Sequence, residues 1–252
     1  MTRETVSLQP AYVLHQRPYR DSSRLIDCLS RDHGRVSLVA RGVQRPKSPL
    51  RSVLMPFQQI AVSWVRKTDL GSLTGAESAG APMSLAPDVL MSGYYVNELL
   101  LRLVQSNEPQ TEVFELYQRV LAELAVPDAG EIALRRFEKR LLEALGYGLS
   151  LSHEARSGSP IVADGRYSYR SELGACAADE FDEYALPGSV LLAIAEERFD
   201  DAQVLRAARV ILRDALDEHL GSRPLRTRDV ARALVSSKAR GDARDPKTDK
   251  SG

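Results

Sequence analysis

The hydrophobic periodicity of this chain changes near residue 80, and that change limits the folds it can adopt. Before it, apolar and polar side chains alternate in five short runs, which is the pattern of half-buried strands. In the third run, Val36, Leu38 and Ala40 fall on one side of the strand. Turn-forming residues separate the runs. The runs cover residues 12–14, 24–29, 34–41, 60–65 and 70–74.

Five strands within about 70 residues are too few for a sandwich and fit a small closed Greek-key barrel. The OB-fold is the best-known barrel of this size, and it binds single strands across one face. Beyond residue 80 the apolar period becomes helical, so we predict an α+β protein in which a five-stranded N-terminal OB-fold β-barrel precedes an α-helical domain. We place the barrel at residues 1–80, the helical domain at 81–237 and a polar, disordered tail at 238–252.

The helical part contains five runs with helical spacing and one interruption. The runs cover residues 89–105, 111–125, a stretch that ends at Gly146, 189–199 and 202–220, and a last turn or two is expected at 228–235. Asp128 and Glu131 have capping-box spacing ahead of the third run. Residues 147–187 break the pattern, because RYSYR (166–170) and LGACA (173–177) are typical of a small hairpin inserted among helices.

The net charge of zero hides an asymmetry along the chain. Residues 1–80 carry 12 Lys and Arg against 6 Asp and Glu, a net charge of +6, whereas residues 81–237 carry 17 against 25, a net charge of −8. The first third is therefore basic and the middle is acidic. We expect the two parts to meet different partners.

Nothing in the composition indicates export or a membrane. No apolar run approaches the ~20 residues that a bilayer-spanning helix needs, and MTRETVSLQP lacks the apolar region of a signal peptide. Two cysteines, Cys28 and Cys176, do not make a disulfide framework. We therefore expect a cytoplasmic protein with no membrane partner.

Positive charge is concentrated between Arg31 and Phe57. Gly42, Pro46 and Pro49 predict a long exposed loop there, and the cations of the stretch are opposed by one acid, Asp32. Like charges repel, so a solvated loop has no internal need for them, and one interpretation is a cradle for a phosphate backbone. The other is a soluble loop that happens to be basic.

The candidate DNA-binding residues extend this set to the preceding strands. They are Arg17, Arg20, Arg24, Arg35, Arg41, Arg45, Lys47 and Arg51. Aromatic side chains that could stack on bases are scarce, namely Tyr12, Tyr19, Phe57 and Trp64. We expect Tyr19 to be exposed and Trp64 to pack in or on the barrel. Binding should then depend on phosphates, tolerate any sequence and weaken with salt.

Enzyme chemistry has no support in the motifs. There is no Walker loop, Gly71 and Gly75 lack the spacing of a dinucleotide fingerprint, and no nucleophile motif such as G-x-S-x-G occurs. The carboxylate pair Asp200-Asp201 lies beside a helix end, where solvation or the helix dipole explains it. We expect a protein without catalytic residues.

Four segments in a specific order resemble the bacterial RecO recombination-mediator family over nearly the whole chain. They are AYVLHQRPYRDSSRLIDCLSRDHGRVSLVARGVQRPKSPLRSVLMPF, YYVNELLLRL, ALRRFEKRLLEALGYGLSL and LRAARVILRDALDEHLGSRPLRTRDVARAL. The resemblance implies an N-terminal OB-fold, a helical domain and a role in DNA repair and recombination through the RecF pathway. It also implies binding of single- and double-stranded DNA in the nucleoid, annealing of complementary strands, and loading of the RecA recombinase with RecR onto single strands coated by SSB.

The same resemblance implies a binding site for the acidic C-terminal tail of SSB on the helical domain. Arg135 in ALRRFE and Arg206 in LRAAR match positions that receive this tail, and Arg209 shares a helix face with Arg206. Leu205 or Leu212 could then form the apolar floor of the groove. From the residues alone, a solvated face with ion pairs such as Arg213 to Asp217 remains the alternative.

The chain departs from the family pattern where many members place a four-cysteine zinc module. The corresponding segments here read SHEARSGSP and LGACAADEF, which leaves Cys176 with His153 as the nearest other candidate ligand. Two ligands do not close a tetrahedral structural site, so we expect no bound metal and no other cofactor.

Two other classes of function stay open at this stage. One is a non-catalytic adaptor whose basic loop binds an acidic partner protein. The other is an RNA-binding barrel, since OB-folds also bind RNA. Titration with single-stranded DNA, RNA and an acidic peptide over a salt series distinguishes them.

Overall fold

A computed structural model of the chain describes residues 3–80, 83, 85–179 and 181–230. The N-terminal part is a closed barrel of β1 (Glu4–Tyr19), β2 (Ser23–Ser30), β3 (Gly34–Ala40), β4 (Gln59–Arg66) and β5 (Leu70–Ser78). The strand order around the barrel is β1-β2-β3-β5-β4, and only the β3–β5 pair is parallel. The five-stranded barrel followed by helices confirms the predicted fold class.

Every second side chain of the barrel strand β3 points into the core, as the alternating pattern predicts. In β3, Val36, Leu38 and Ala40 are buried while the residues between them are partly exposed. Trp64 of β4 is fully buried in the same core. Packing of Trp64 in or on the barrel was the predicted arrangement.

Strand β1 is much longer than the three-residue run at 12–14 predicts. Its first half pairs with β4, from Glu4↔Arg66 to Tyr12↔Gln59, and its second half pairs with β2. Irregularities at Leu8, which has a φ of 49°, and at Leu14 bend the strand between its two partners. These bends disturb the alternation in the sequence, and closure of the barrel depends on them.

The helices lie close to the predicted runs. They are α2 (Leu90–Leu103), α3 (Thr111–Leu124), α4 (Gly130–Ala144), α5 (Gly188–Ala195) and α6 (Ala202–Leu220), after a short α1 (Leu50–Val53) in the barrel. Residues 226–230 are also helical. The inserted hairpin is β6 (Arg166–Arg170) and β7 (Gly174–Ala177), joined by β8 (Leu186–Pro187) in a small sheet. The predicted tail at 238–252 lies outside the described residues.

The predicted capping box is wrong. Helix α4 begins at Gly130 after the cap residue Ala129, and no side chain caps it. Asp128 has a φ of 61° and belongs to the turn before the helix. A side-chain cap occurs instead at α6, where Oδ1 of Asp201 accepts hydrogen bonds from the backbone N–H of Gln203 (2.6 Å) and Val204 (3.2 Å).

The barrel packs directly on the helices. Tyr12, Leu14 and Leu29 lie on barrel strands, but their side chains pack in the core of the helical part. Buried Asn97 of α2 donates to the backbone oxygen of Leu14 (2.9 Å) and accepts from the hydroxyl of Tyr117 (2.6 Å). Among the residues that the structure describes, no helix is long and apolar enough to cross a membrane.

Candidate nucleic-acid interface

One end of the barrel joins two segments that are distant in sequence. The turn between β1 and β2 and the connection after β3 meet through Gln44, whose backbone N–H donates to the oxygen of Ser22 (3.1 Å). The side-chain amide of Gln44 donates to the oxygen of Ser23 (3.1 Å). These two bonds bring the cations of both segments to the same end of the barrel.

The connection from β3 to β4 packs against the barrel through its apolar side chains. Val43 and Leu54 are buried in the barrel core, and Leu50 and Val53 of α1 pack against it. The side-chain amide of Gln16 donates to the oxygen of Leu54 (3.3 Å). The polar side chains between these apolar anchors are therefore presented outward on a fixed backbone.

Six cations at this end are exposed, and we call them the basic end. Within the described part of the chain they make no ion pair with an acidic side chain, and Asp21 is the one acid in the turn between β1 and β2. Unpaired like charges at one end of a fold attract a polyanion and gain from counterion release when one binds. The basic end consists of Arg17, Arg20, Arg41, Arg45, Lys47 and Arg51.

Two of the eight predicted DNA-binding residues are placed differently. Arg35 lies at the opposite end of β3, roughly 20 Å from Arg41 along the strand, and its Nε donates to the backbone oxygen of Val104 (3.0 Å). Arg24 is partly buried, and its guanidinium donates to Oε1 of Gln16 (2.8 Å). Arg35 therefore connects the barrel to the helical part through a hydrogen bond, and Arg24 connects β2 to β1 within the barrel.

The four aromatic side chains considered for stacking expose little ring surface. Tyr12, Phe57 and Trp64 are buried. Tyr19 is only partly exposed, and the guanidinium of Arg20 lies 5.2 Å from the centre of its ring. The expectation that Tyr19 is exposed is thus met only in part. The surface is suited to phosphates more than to bases.

Comparison with known proteins gives the family of the chain. The family model described as "Recombination protein O N terminal" matches residues 3–81, and the one described as "Recombination protein O C terminal" matches residues 85–229. The chain belongs to the recombination protein O family. The barrel and its basic end therefore lie in the N-terminal family region.

Curated relatives named DNA repair protein RecO align with almost all of this RecO-family chain. The relative from Glaesserella parasuis is 38% identical over 92% of this chain and 98% of its own length. The relative from Methylococcus capsulatus is 41% identical over 90% of this chain and 94% of its own length. The relative from Chromobacterium violaceum is 40% identical over 92% and 96%.

The three arginines predicted to receive the SSB tail are not equivalent in this RecO-family chain. Arg135 is 7% exposed and forms an ion pair with Glu138 (2.9 Å), so the expectation that it is an open groove rim is wrong. Arg209 is exposed and pairs with Glu131 across α4 and α6. Arg206 is exposed and has no ion-pair partner among the described residues.

The apolar floor predicted for that site also differs. Leu212 is fully buried and Leu205 is partly buried in the core, so neither is an open floor. Val210, one turn after Arg206 on α6, is 59% exposed and lies beside the arginines. The sequence alone did not single out Val210, because a valine in an amphipathic helix is normally a core residue.

A groove at the C-terminal end of α6 was also missed. It has a volume of about 240 Å³ and includes Arg213, Arg223 and Arg228 together with Leu220 and Leu225. Arg102 of α2 donates to the backbone oxygens of two residues that line the groove, Leu220 (2.6 Å) and Arg223 (2.9 Å). None of the three predicted tail-binding arginines lines this groove.

The residues of the insertion do not fit the family's zinc module. Cys176 is buried in β7, and His153 is exposed with its Nδ1 3.0 Å from the hydroxyl of Ser152. Across the described ranges, no group of three or more His, Cys, Asp or Glu is placed to hold a metal ion. Hydrogen bonds order the insertion instead, for example from the backbone N–H of Ala155 to the oxygen of Ala175 (2.7 Å).

Proposed function

We propose that this chain is a non-catalytic DNA repair and recombination mediator that binds DNA through the basic end of its barrel. The observation that carries the proposal is the set of six exposed cations without acidic partners in the described structure, at one end of a barrel in a RecO-family chain. The names of the relatives support a role in DNA repair. Phosphates supply the binding energy, so single and double strands are both bound and the sequence is not read.

In this role the protein anneals complementary strands and, with RecR, helps to load RecA onto single strands coated by SSB. A surface that holds phosphates and leaves bases unstacked is compatible with annealing, because the bases stay available for pairing. RecR and RecA are inferred as partners from the family resemblance.

The DNA site is tested by removing the cations of the connection after β3 together. Arg41, Arg45, Lys47 and Arg51 are changed to Ala, and binding of labelled single-stranded DNA is measured by fluorescence anisotropy over a salt series. We expect the slope of log affinity against log salt to fall by about 3, since each contact to a single strand contributes about 0.7. The matched control changes four exposed arginines of the helical part, namely Arg119, Arg156, Arg170 and Arg198.

Equal losses in the test and control variants would mean that total charge, and not the basic end, binds DNA. Arg35→Ala should leave the salt slope near wild type, because its guanidinium bonds to Val104 and lies at the other end of β3. RNA and an acidic peptide are titrated in parallel. Preference for either over DNA would favour the RNA-binding barrel or the adaptor.

A second part of the proposal concerns the helical domain. The acidic C-terminal tail of SSB binds at the outer face of α6, where Arg206, without an ion-pair partner among the described residues, lies beside exposed Val210. Acidic tails with an apolar end are recognised by such combinations. Arg209 can contact the tail only if its ion pair with Glu131 opens. Arg135 does not contact the tail, because it is buried and paired with Glu138 on the same helix.

We expect Arg206→Glu to weaken tail binding roughly ten- to a hundredfold, which corresponds to one charge-assisted contact of ~1.5–3 kcal/mol. DNA binding should stay near wild type. Arg198→Glu is the control, because Arg198 is also exposed, lies beyond the end of α5 and pairs with Glu196. Both affinities are measured by anisotropy with a labelled tail peptide and labelled DNA. No loss for the peptide, or the same loss for DNA, would reject this site.

A further inference from the structure

A tyrosine on α2 exposes part of its ring where the barrel meets the helices. Tyr94 is 39% exposed, and its ring centre lies 5.1 Å from that of buried Phe57, with the two ring planes at 65°. Phe57 belongs to the connection from β3 to β4, so a residue of the helical part lies beside that connection. Met55, two residues before Phe57, is 48% exposed. We call Tyr94 and Met55 the junction patch.

Close packing fixes the position of Tyr94. The preceding residue, Gly93, lies so near the connection that a Cβ atom on it would be 2.9 Å from Cε1 of Phe57. Asn97, on the next turn of α2, donates to the backbone oxygen of Leu14 in β1 (2.9 Å). Helix α2 cannot slide along the barrel without breaking these contacts. The exposed part of the ring is therefore presented in one place, which lowers the entropic cost of binding a ligand.

The junction patch is connected to the basic end through two short links. The side-chain amide of Gln16, the neighbour of Arg17, donates to the backbone oxygen of Leu54, the residue before Met55 (3.3 Å). Arg51 lies on α1, one turn before Met55. Both arginines are exposed. Two cations of the basic end therefore belong to the segments that lead to the patch.

The segments that meet at the junction patch carry no negative charge. Residues 13–20 of β1, the connection at 41–57 and residues 90–97 of α2 contain no Asp or Glu. The first acid of α2 is Glu98, and its carboxylate already accepts three hydrogen bonds from residues 226 and 227. Nothing in these segments repels a phosphate chain, so an anionic ligand is favoured.

Other exposed aromatic rings of the described residues lack this combination. The ring of Tyr147 is stacked on that of His219, with the ring centres 3.7 Å apart. Phe181 and Tyr184 lie in a sequence segment rich in Asp and Glu. On the outer face of α6 and in the groove at its end, the arginines have no exposed aromatic ring among the residues that line the sites. The junction patch thus joins an exposed ring to unpaired cations of the described structure.

The size of the patch selects the kind of anionic ligand. A protein partner covers roughly 800 Å², which is far more than two partly exposed side chains offer. A single nucleobase, in contrast, stacks on a single aromatic ring, and the stacking tolerates any base.

We propose that the junction patch holds one unpaired base of a DNA single strand whose phosphates lie on the basic end. The ring of Tyr94 stacks on the base, and Met55 contacts it from the side. The inference rests on the proposed DNA site and adds one base contact to it. A base in a duplex reaches the ring only by leaving its stack, so the contact favours single strands. Bases on the basic end itself remain free for pairing, and pairing of the held base releases it.

The test compares two oligonucleotides with the same number of phosphates, a run of dT and a run of abasic sites. Binding to the full chain is measured by fluorescence anisotropy. Wild type should bind the dT strand roughly five- to a hundredfold more tightly, the range for one stacked base. Tyr94→Leu keeps an apolar side chain against Phe57 and should remove most of this preference, whereas Tyr94→Phe should keep it. Affinity for the abasic strand and the salt slope should stay at wild type in both variants.

The matched control is Tyr147→Leu, which removes a ring that is 46% exposed elsewhere on the helical part and should leave the preference unchanged. Melting curves check that each variant is folded. Equal affinity of wild type for the two strands would overturn the proposal. A preference that Tyr94→Leu retains, or that the control loses equally, would overturn it as well.

A duplex of the same length provides the last arm. Tyr94→Leu should weaken binding of the dT strand and leave duplex binding near wild type, and an equal loss for both would reject stacking on an unpaired base. Steep salt dependence with equal affinity for dT and abasic strands would reject the base contact and keep the DNA site. Loss of DNA binding that does not depend on salt would reject both, so the two failures give different results.

Discussion

Arg135 and Arg206 have the same side chain and opposite surroundings. Arg135 lies between α4 and its neighbours, where it pairs with Glu138, a residue that is only 1% exposed. Burial raises the pKa of Glu138, although Arg135 and the hydroxyl of Tyr95 both favour the carboxylate. Arg206 has solvent around it. One arginine is thus buried and paired, whereas the other is exposed and has no ion-pair partner among the described residues.

The stabilities of two variants separate these roles. Arg135→Ala should lower the free energy of unfolding by about 3–5 kcal/mol, because it leaves the carboxyl of Glu138 buried without its cation. Arg206→Ala should change it by no more than about 0.5 kcal/mol. Urea denaturation measures both. The double variant Arg135→Met/Glu138→Gln should regain much of the loss, and if it is as unstable as Arg135→Ala, the buried pair is not the cause.

The helical residues after α6, of which the structure describes 226–230, are held by a contact from another helix. The helical turn at 226–230 begins at Arg226 and Thr227, whose backbone N–H groups both donate to the carboxylate of Glu98 on α2 (2.9 Å each). The hydroxyl of Thr227 donates to the same group (2.7 Å). Glu98 thus acts as a cap supplied by another helix, and the turn keeps its place through this contact.

The cap has a predictable dependence on pH. Burial by itself would raise the pKa of Glu98, but the hydrogen bonds from Thr227 and Arg226 outweigh it, so the pKa lies below the ordinary value of 4.5. A carboxyl that binds its proton less readily when folded stabilises the protein above pH 4.5, and this contribution is lost as the pH falls further.

We expect Glu98→Gln to lower stability by about 1 kcal/mol at neutral pH, the usual value of a helix cap. The difference from wild type should shrink below pH 4.5 as the carboxyl becomes protonated. Thermal melts of both proteins across the acid range measure it, with Glu172→Gln, an exposed carboxyl, as the control. A difference that is constant with pH would show that the charge of Glu98 is not involved.

At the scale of the whole molecule, the barrel and the helices share a core and a buried polar network. Asn97 is 2% exposed and bonds both to Leu14 of the barrel and to Tyr117 of α3. The ring of Tyr12 packs edge-on against that of Tyr117, with the ring centres 4.9 Å apart. The basic end of the barrel and the outer face of α6 are therefore parts of one packed structure.

Unfolding of wild type should accordingly follow a single transition. The only tryptophan, Trp64, reports on the barrel, and far-ultraviolet circular dichroism reports mainly on the helices. Asn97→Ala leaves a carbonyl and a hydroxyl unsatisfied, so it should cost about 2–4 kcal/mol and separate the two signals. The control is Gln203→Ala on the exposed face of α6. Coincident transitions in Asn97→Ala would mean that apolar contacts alone couple the two halves.

Local patterns along the chain were enough to predict most strands and helices and which of their faces are apolar. The run at 202–220 predicts the bounds of α6, and alternation in β3 predicts its buried side, because both depend on residues that are close along the chain. The composition also located the excess of positive charge in the first 80 residues.

Which cations are exposed and which are bonded depends on contacts between segments that are distant in sequence. Arg35 and Arg45 look alike in a basic stretch, yet one bonds to Val104, a residue of the helical part, and the other faces solvent beside the β1–β2 turn. The first half of β1 was missed for the same reason, since its partner residues in β4 lie 47 to 62 positions later. Local periodicity specifies the side on which a residue lies, whereas burial and pairing depend on the element that packs against that side.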